Sequence, residues 1–281
     1  LYTGDIEHRL RQEIVLGLGG SKMLGQMGIK QTILHLNEGH PGFAQLERIR
    51  EQIQAGASFQ QALEKVRNTT IFTTHTPVPA GHDIFPFHLI EKYFYAYWPA
   101  LQLDRETFLQ LGVHPDRPSE GFNMTVMALK MAKHINGVSQ KHGAVSRQMW
   151  KTMWPDIEEA EIPIHSITNG IHVPTWIEPK IELLFNKYLG KDWISNHNDS
   201  ESLEMIDDIP DKELWETHYW LKIKLIDAIR ERSRLRWTRQ HISPSIVLAN
   251  GSLLDPSVLT IGFARRFATY KRADLIFSDM N

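Results

Sequence analysis

Short apolar runs recur along the chain, each followed by a polar loop and then a longer segment with helical spacing. This alternation limits the available folds more than any other feature. The runs are residues 31–36 (QTILHL), 69–74 (TTIFTT), 135–138 (INGV), 163–168 (PIHSIT) and 258–263 (VLTIGF). Between them lie amphipathic stretches such as 58–67 (SFQQALEKVR), where Ser58 is placed to cap a helix, and 122–133, whose apolar residues recur at helical spacing. Continuous apolar strands separated by helices read as parallel βαβ units, hence a doubly wound α/β domain. In such sheets ligands gather beyond the carboxyl ends of the strands, so the loops after each run are where chemistry is sought. Residues 178–241 break the pattern. They are helix-rich, and the next strand is expected only at 245–248, so two sheet domains joined there is the natural parse.

Composition excludes several classes. The 31 basic and 33 acidic residues give a net charge of −2, so no global field recruits nucleic acid or a membrane surface. Zero cysteines exclude a disulfide scaffold, a thiolate metal site and a cysteine nucleophile, and fit a cytoplasmic protein. No apolar run approaches the roughly 20 residues that span a bilayer, and no signal-peptide pattern opens the chain. The chain starts at Leu1 rather than Met and stops just after a basic loop, which reads as a piece of a longer protein.

Four loops carry candidate chemistry. After QTILHL comes Asn37-Glu38-Gly39-His40-Pro41-Gly42-Phe43, either a tight turn with Gly39 at positive φ or a ligand-contacting loop. After TTIFTT comes His75-Thr76-Pro77-Val78-Pro79-Ala80-Gly81-His82-Asp83, whose prolines pre-shape a loop that can meet a polyhydroxyl ligand at little entropic cost. A metal held by His75, His82 and Asp83 is the weaker reading, and the histidines His35 and His40 lack zinc-helix spacing. After PIHSIT, Asn169-Gly170 signals a turn, though the Asn169 amide could bind a sugar hydroxyl and Trp176 could cover a flat ligand face. After VLTIGF, the run Ala264-Arg265-Arg266-Phe267-Ala268-Thr269-Tyr270-Lys271-Arg272 sets four cations at a strand end, where Arg266 and Lys271 could grip one phosphate.

Two features are decoys. Gly17-Leu18-Gly19-Gly20-Ser21-Lys22 resembles a phosphate loop, but it follows a helical segment and fails the spacing, so it reads as a closely packed helix. Residues 221–241 carry seven cations against Asp227 and Glu231; a solvated helix face is preferred there to a nucleic-acid surface.

In order, HLNEGHPGF, FTTHTPVPAGHDIF, NGVSQKHGAVSRQMW, ITNGIHVPTWI and GFARRFATYKR resemble the α-glucan phosphorylases, the glycogen, starch and maltodextrin phosphorylase family, in its shorter bacterial and archaeal branch. The resemblance spans essentially the whole chain. It implies a glycosyltransferase-B fold of two Rossmann-like domains, with 1–168 as the later part of the first. Residues 169–281 would then be the helical segment and the start of the second, only partly present. It implies phosphorolysis of α-1,4-glucans or maltodextrins by orthophosphate to α-glucose 1-phosphate with retention, and pyridoxal phosphate as a cofactor whose phosphate does the catalytic work. A homo-oligomer is compatible with the full-length enzyme.

By the same resemblance, the His75 carbonyl meets the reacting glucose and Asn169 binds its 6-hydroxyl. Trp176 lines the cofactor pocket, Arg266 and Lys271 hold the substrate phosphate, and Arg265 falls near the cofactor phosphate where animal enzymes have lysine. Ala268 and Thr269 replace a His-Glu pair of the animal branch. No Gly-Thr-Ser-Gly-Met-Lys type segment, which bears the family's cofactor lysine, occurs in the 281 residues, so the isolated chain is expected to be inactive. Three alternatives stay open: a nucleotide-sugar-dependent glycosyltransferase of the same fold, a non-catalytic glucan-binding fragment and, least favoured given the net charge of −2, a nucleic-acid-binding module.

Overall fold

Asp5 opens the first helix by accepting the His8 amide at 2.7 Å, which satisfies one of the donors a helix start leaves unpaired. The computed structural model describes residues 5–78, 81–200, 204–240, 245, 254–265, 267 and 271–279, with 236–240 as backbone only. These fall into two units, Leu1–Gly170 and Ile171–Asn281.

In the first unit, α1 (Ile6–Ile14) runs through a π-helical turn at Val15–Gly19 into α2 (Gly20–Gln26), so the glycine-rich decoy is helical as expected. A Cβ on Gly17 would lie 2.8 Å from the Ala44 nitrogen and 2.8 Å from Phe43 Cβ. The helix therefore touches the start of α3 (Phe43–Gln54) backbone to backbone. Gly20 has open space around the same position. Opposite signs are expected from one chemical change. Gly20→Ala should stabilise by about 0.5–1 kcal/mol through helix propensity. Gly17→Ala should destabilise by about 1–3 kcal/mol through overpacking, as urea titrations of the two variants would show.

Ser58 caps α4 (Phe59–Asn68) in a full capping box: its hydroxyl accepts the Gln61 amide and its own amide donates to Gln61 Oε1 at 3.0 Å. Four parallel strands follow in the order β1 (Leu34–Asn37), β2 (Thr70–Thr74), β5 (His134–Gly137), β6 (Ile164–Ser166). A short antiparallel pair, β3 (Ile84–Phe85) and β4 (Phe122–Asn123), lies between β2 and β5 in sequence. The first four apolar runs thus become the four sheet strands.

The register explains the alternation. Leu36, Phe72, Ile135 and Ile164 form one cross-strand row, all essentially buried against α7 (Met124–Lys130) and Trp150. One residue on, Asn37, Thr73, Asn136 and His165 point to the other face. There the Thr73 hydroxyl donates to Asn136 Oδ1 at 2.8 Å and meets His35 Nε2 at 2.8 Å.

A second apolar cluster joins α1, α3 and α4 to α5 (Phe87–Phe94) and α6 (Arg105–Gln110). At its centre Phe43, Phe94, Phe108 and Phe122 close a ring of stacked and tilted contacts at centroid distances of 4.8, 5.3, 6.0 and 6.4 Å. The helix expected over 122–133 starts two residues late. Phe122 pairs with Phe85 in the short antiparallel pair, and the Asn123 side chain accepts the Thr125 and Val126 amides as the helix cap. The last helix of this unit, α8 (Gln140–Met149), is capped by Ser139.

The second unit holds α9 (Val173–Trp176), α10 (Pro179–Tyr188) and α11 (Asp211–Gln240), around a small core of Leu184, Leu189, Trp193 and Ile209. Three cations of α11 are paired, Arg230 with Asp227 at 3.4 Å, Arg234 with Glu231 at 2.8 Å and Lys224 with Glu178 at 2.9 Å. One expectation fails: 258–263 is not a strand, and Leu259 and Ile261 are 83% and 68% exposed. A parallel strand needs neighbours for its amides and carbonyls, and no other described segment of this unit is extended alongside it. The strand expected at 245–248 lies outside the described residues except for Ser245, which is helical.

Candidate functional site

The carboxyl ends of β1, β2, β5 and β6 bring four loops to one edge of the sheet. Glu38 donates its amide to the Thr73 carbonyl at 2.9 Å, continuing the strand pairing by one residue. Its φ of 69° then turns the chain. The expectation of a positive φ at Gly39 is corrected: the left-handed residue is Glu38, a conformation uncommon outside glycine. Gly39 is required for closeness instead, since a Cβ there would lie 3.0 Å from Thr125 Oγ1. The turn throws the Glu38 carboxylate over the end of β2, where Oε1 accepts the amides of His75 and Thr76, the latter at 2.7 Å.

Beside this clamp lies a charged cluster. Glu13 on α1 is 1% exposed. The Arg9 guanidinium lies against both acids, its Nε 2.9 Å from Glu13 and its Nη2 3.0 Å from Asp83. His40 Nδ1 is 3.9 Å from Asp83. Burial, with the Asp83 charge adding to it, pushes the Glu13 carboxyl up to about 9, so Glu13 is held protonated at neutral pH. Burial foremost, with Arg9 beside it, lowers the His40 pKa. Among the described residues, Glu13, His40 and Asp83 are the group whose ligand atoms could surround a cation, rather than His75, His82 and Asp83. Arg9 already supplies the positive charge there.

His82 is buried with Nδ1 2.9 Å from Thr125 Oγ1 and its ring edge-on to Trp150 at 5.0 Å. His142, at the start of α8, accepts the Val138 amide on Nδ1 at 3.3 Å. Burial lowers the pKa of both, so the loops rest on neutral imidazoles.

Of the residues singled out in the sequence, His75 and Asn169 share this edge. His75 follows β2; Asn169 follows β6 and donates its amide to the Val138 carbonyl at 3.3 Å. Strand β5 separates them, a span of about 10 Å at ordinary strand spacing. Trp176, 78% exposed, ends α9 in the second unit, where Arg265 is exposed and Lys271 half-buried. Arg266, Ala268 and Thr269 lie outside the described residues. Glu38, Glu13 and Arg9 were not singled out. The available signals were a carboxylate directly after a strand and an i, i+4 charge pair inside an otherwise apolar helix face.

Comparison with known proteins decides the family. Residues 21–247 match the family description carbohydrate phosphorylase. The chain belongs to that family. Over its whole length it is 44% identical to the glycogen phosphorylase of Aquifex aeolicus, of which it covers 40%. It is 42% identical to the maltodextrin phosphorylase of Thermococcus litoralis, covering 32% of it. Over 99% of its length it is 39% identical to the glycogen phosphorylase of Mycobacterium tuberculosis, covering 33%. The chain thus spans well under half the length of these phosphorylases.

The family implies pyridoxal phosphate. Of the residues the resemblance assigns to it, Trp176 and Arg265 are exposed, and the expected lysine segment does not occur in the 281 residues, so they alone do not supply its attachment. No described helix is long and apolar enough to cross a membrane.

Proposed function

We propose that this chain carries the glucan-contacting part of an α-glucan phosphorylase of glycosyltransferase-B type. Residues 1–168 belong to the first Rossmann-like domain, and 169–281 to the helical segment and start of the second. The reaction is transfer of the terminal glucosyl unit of an α-1,4-glucan or maltodextrin to orthophosphate, giving α-glucose 1-phosphate with retention, in the cytoplasm. In this reading the His75 carbonyl and the Asn169 amide hold the sugar. Arg266 and Lys271 hold the phosphate where charge develops, while Trp176 and Arg265 face the pyridoxal phosphate when it is bound.

The observation that carries the reading is the placement of His75 and Asn169, from two family motifs 94 positions apart, on one edge of the sheet flanking β5. The described carboxylates there are engaged, Glu38 by two backbone amides and Glu13 and Asp83 by Arg9, which suits sugar binding better than two-carboxylate hydrolysis. Incubating the chain with maltoheptaose and orthophosphate, and separately with pyridoxal phosphate and borohydride, tests the assignment. Saturable maltoheptaose binding without trapped pyridoxyl-lysine and without glucose 1-phosphate is expected. Glucosyl transfer strictly dependent on a nucleotide sugar and indifferent to orthophosphate would establish the alternative glycosyltransferase reading.

A further inference from the structure

We propose that Glu38 is a positioning residue that aims the His75 carbonyl, and that it does so through the two amides it holds at the end of β2; the proposal rests on the phosphorylase reading of that edge. A trans peptide is planar, with its N–H and C=O pointing in opposite directions. Glu38 Oε1 accepts the Thr76 N–H at 2.7 Å, and that N–H belongs to the same peptide plane as the His75 C=O. Fixing the donor toward Glu38 therefore fixes the His75 oxygen away from it. The second amide, that of His75 itself, fixes the preceding peptide plane in the same way. With both planes held, the carbonyl at residue 75 has no soft torsion left on its N-terminal side.

The backbone of Glu38 is organised for this task. Its amide is tied to the Thr73 carbonyl at 2.9 Å, so the residue is anchored to the strand whose end it clamps. Its φ of 69° is an uncommon conformation for a side chain with a Cβ, and it persists only where surrounding contacts over-determine it. A turn that only reversed the chain would be built more easily with glycine, and Gly39 stands next door with no positive φ. Placing the strained conformation on Glu38 turns the carboxylate back over β2. The loop beyond, Thr76-Pro77-Val78, has no strand pairing of its own, so the clamp sets its departure angle. Gly39, packed on Thr125, and His40, beside Asp83, hold the other side of the turn. Glu38 does not touch the sugar in this reading; it acts through the peptide at His75.

The test compares the 281-residue chain with Glu38→Ala and Glu38→Gln, the second retaining a neutral acceptor of the same reach. Amide exchange at His75 and Thr76 is followed by NMR, and maltoheptaose affinity by calorimetry. A charge-assisted hydrogen bond to a backbone amide sustains at least about tenfold protection, so Glu38→Ala should exchange both amides about tenfold faster and bind maltoheptaose about tenfold more weakly, with Glu38→Gln between it and the wild type in both. If Glu38→Ala does not fold, the Glu38→Gln comparison alone decides. Unchanged exchange at both amides would overturn the proposal, as would faster exchange with undiminished affinity. A folded wild-type chain that binds no maltoheptaose would overturn the phosphorylase reading and the proposal with it. Retained wild-type binding with unaltered affinity in both variants overturns the proposal alone.

Discussion

Phe122→Ala is expected to remove about 3–5 kcal/mol of stability from the first unit, enough to unfold a substantial fraction of the chain at 37 °C. Phe122 has no exposed surface and closes the four-phenylalanine ring through Phe108 and Phe43. Its ring also fills the space over Gly112, where a Cβ would come within 2.5 Å of it. The backbone on either side is fixed by the β3–β4 pairing and the Asn123 cap, so the site cannot collapse to refill the cavity. The same residue joins the aromatic cluster to the helix under the sheet edge, so the loss should extend to the site loops. Urea unfolding followed by circular dichroism gives the number, with Phe122→Leu as a milder control. A cost below about 1 kcal/mol for the alanine variant would show that the ring is loosely packed.

The second large effect is a dependence of stability on pH. Glu13 titrates near 9 when folded, against an ordinary value of 4.5. Between those limits the folded chain keeps a proton that the unfolded chain has released, so stability falls as pH rises, by up to about 1.4 kcal/mol per pH unit, and the fall ends above the folded pKa. His40, His82 and His142, lowered by burial, act in the opposite sense, but only as pH falls through their ordinary value of 6.5. The interval from pH 7 to 9 lies above these histidines, and the difference between wild type and Glu13→Gln across it reads Glu13. Wild-type stability should drop across it while Glu13→Gln, which mimics the protonated acid, stays flat and is more stable at pH 9 by roughly 1–3 kcal/mol. Glu13→Ala leaves Arg9 with one buried partner fewer and should be less stable than Glu13→Gln throughout. Parallel pH profiles of the wild type and the glutamine variant would contradict a protonated, buried Glu13.

How far the sequence reveals this molecule depends on the range of the interactions involved. QTILHL and TTIFTT were readable as strands because Leu36 and Phe72 belong to one buried row, and burial imprints itself on local composition. Ser58 was readable as a cap because its partner Gln61 is three residues away. VLTIGF has the same composition as the true strands yet stays exposed, because a strand is defined by neighbours that local sequence cannot supply. Glu38 was hidden for a related reason: its partners, the amides of His75 and Thr76, are 37 and 38 positions away. The tight-turn reading of residues 37–42 puts glycine in the left-handed place that Glu38 occupies. Glu13 was hidden because a charged residue in an amphipathic helix is ordinarily solvated, and only the fold brings Asp83 beside it.

The proposed function places an α-1,4-linked glucan at the edge carrying His75 and Asn169. It is tested most directly by calorimetric titration of the 281-residue chain with maltoheptaose, alongside a β-1,4-linked oligosaccharide of similar length. Saturable binding of maltoheptaose, at least about tenfold tighter than that of the β-linked chain and weakened to a similar degree in Glu38→Ala, is the expected result. A folded chain that binds neither, or binds both equally, would contradict it.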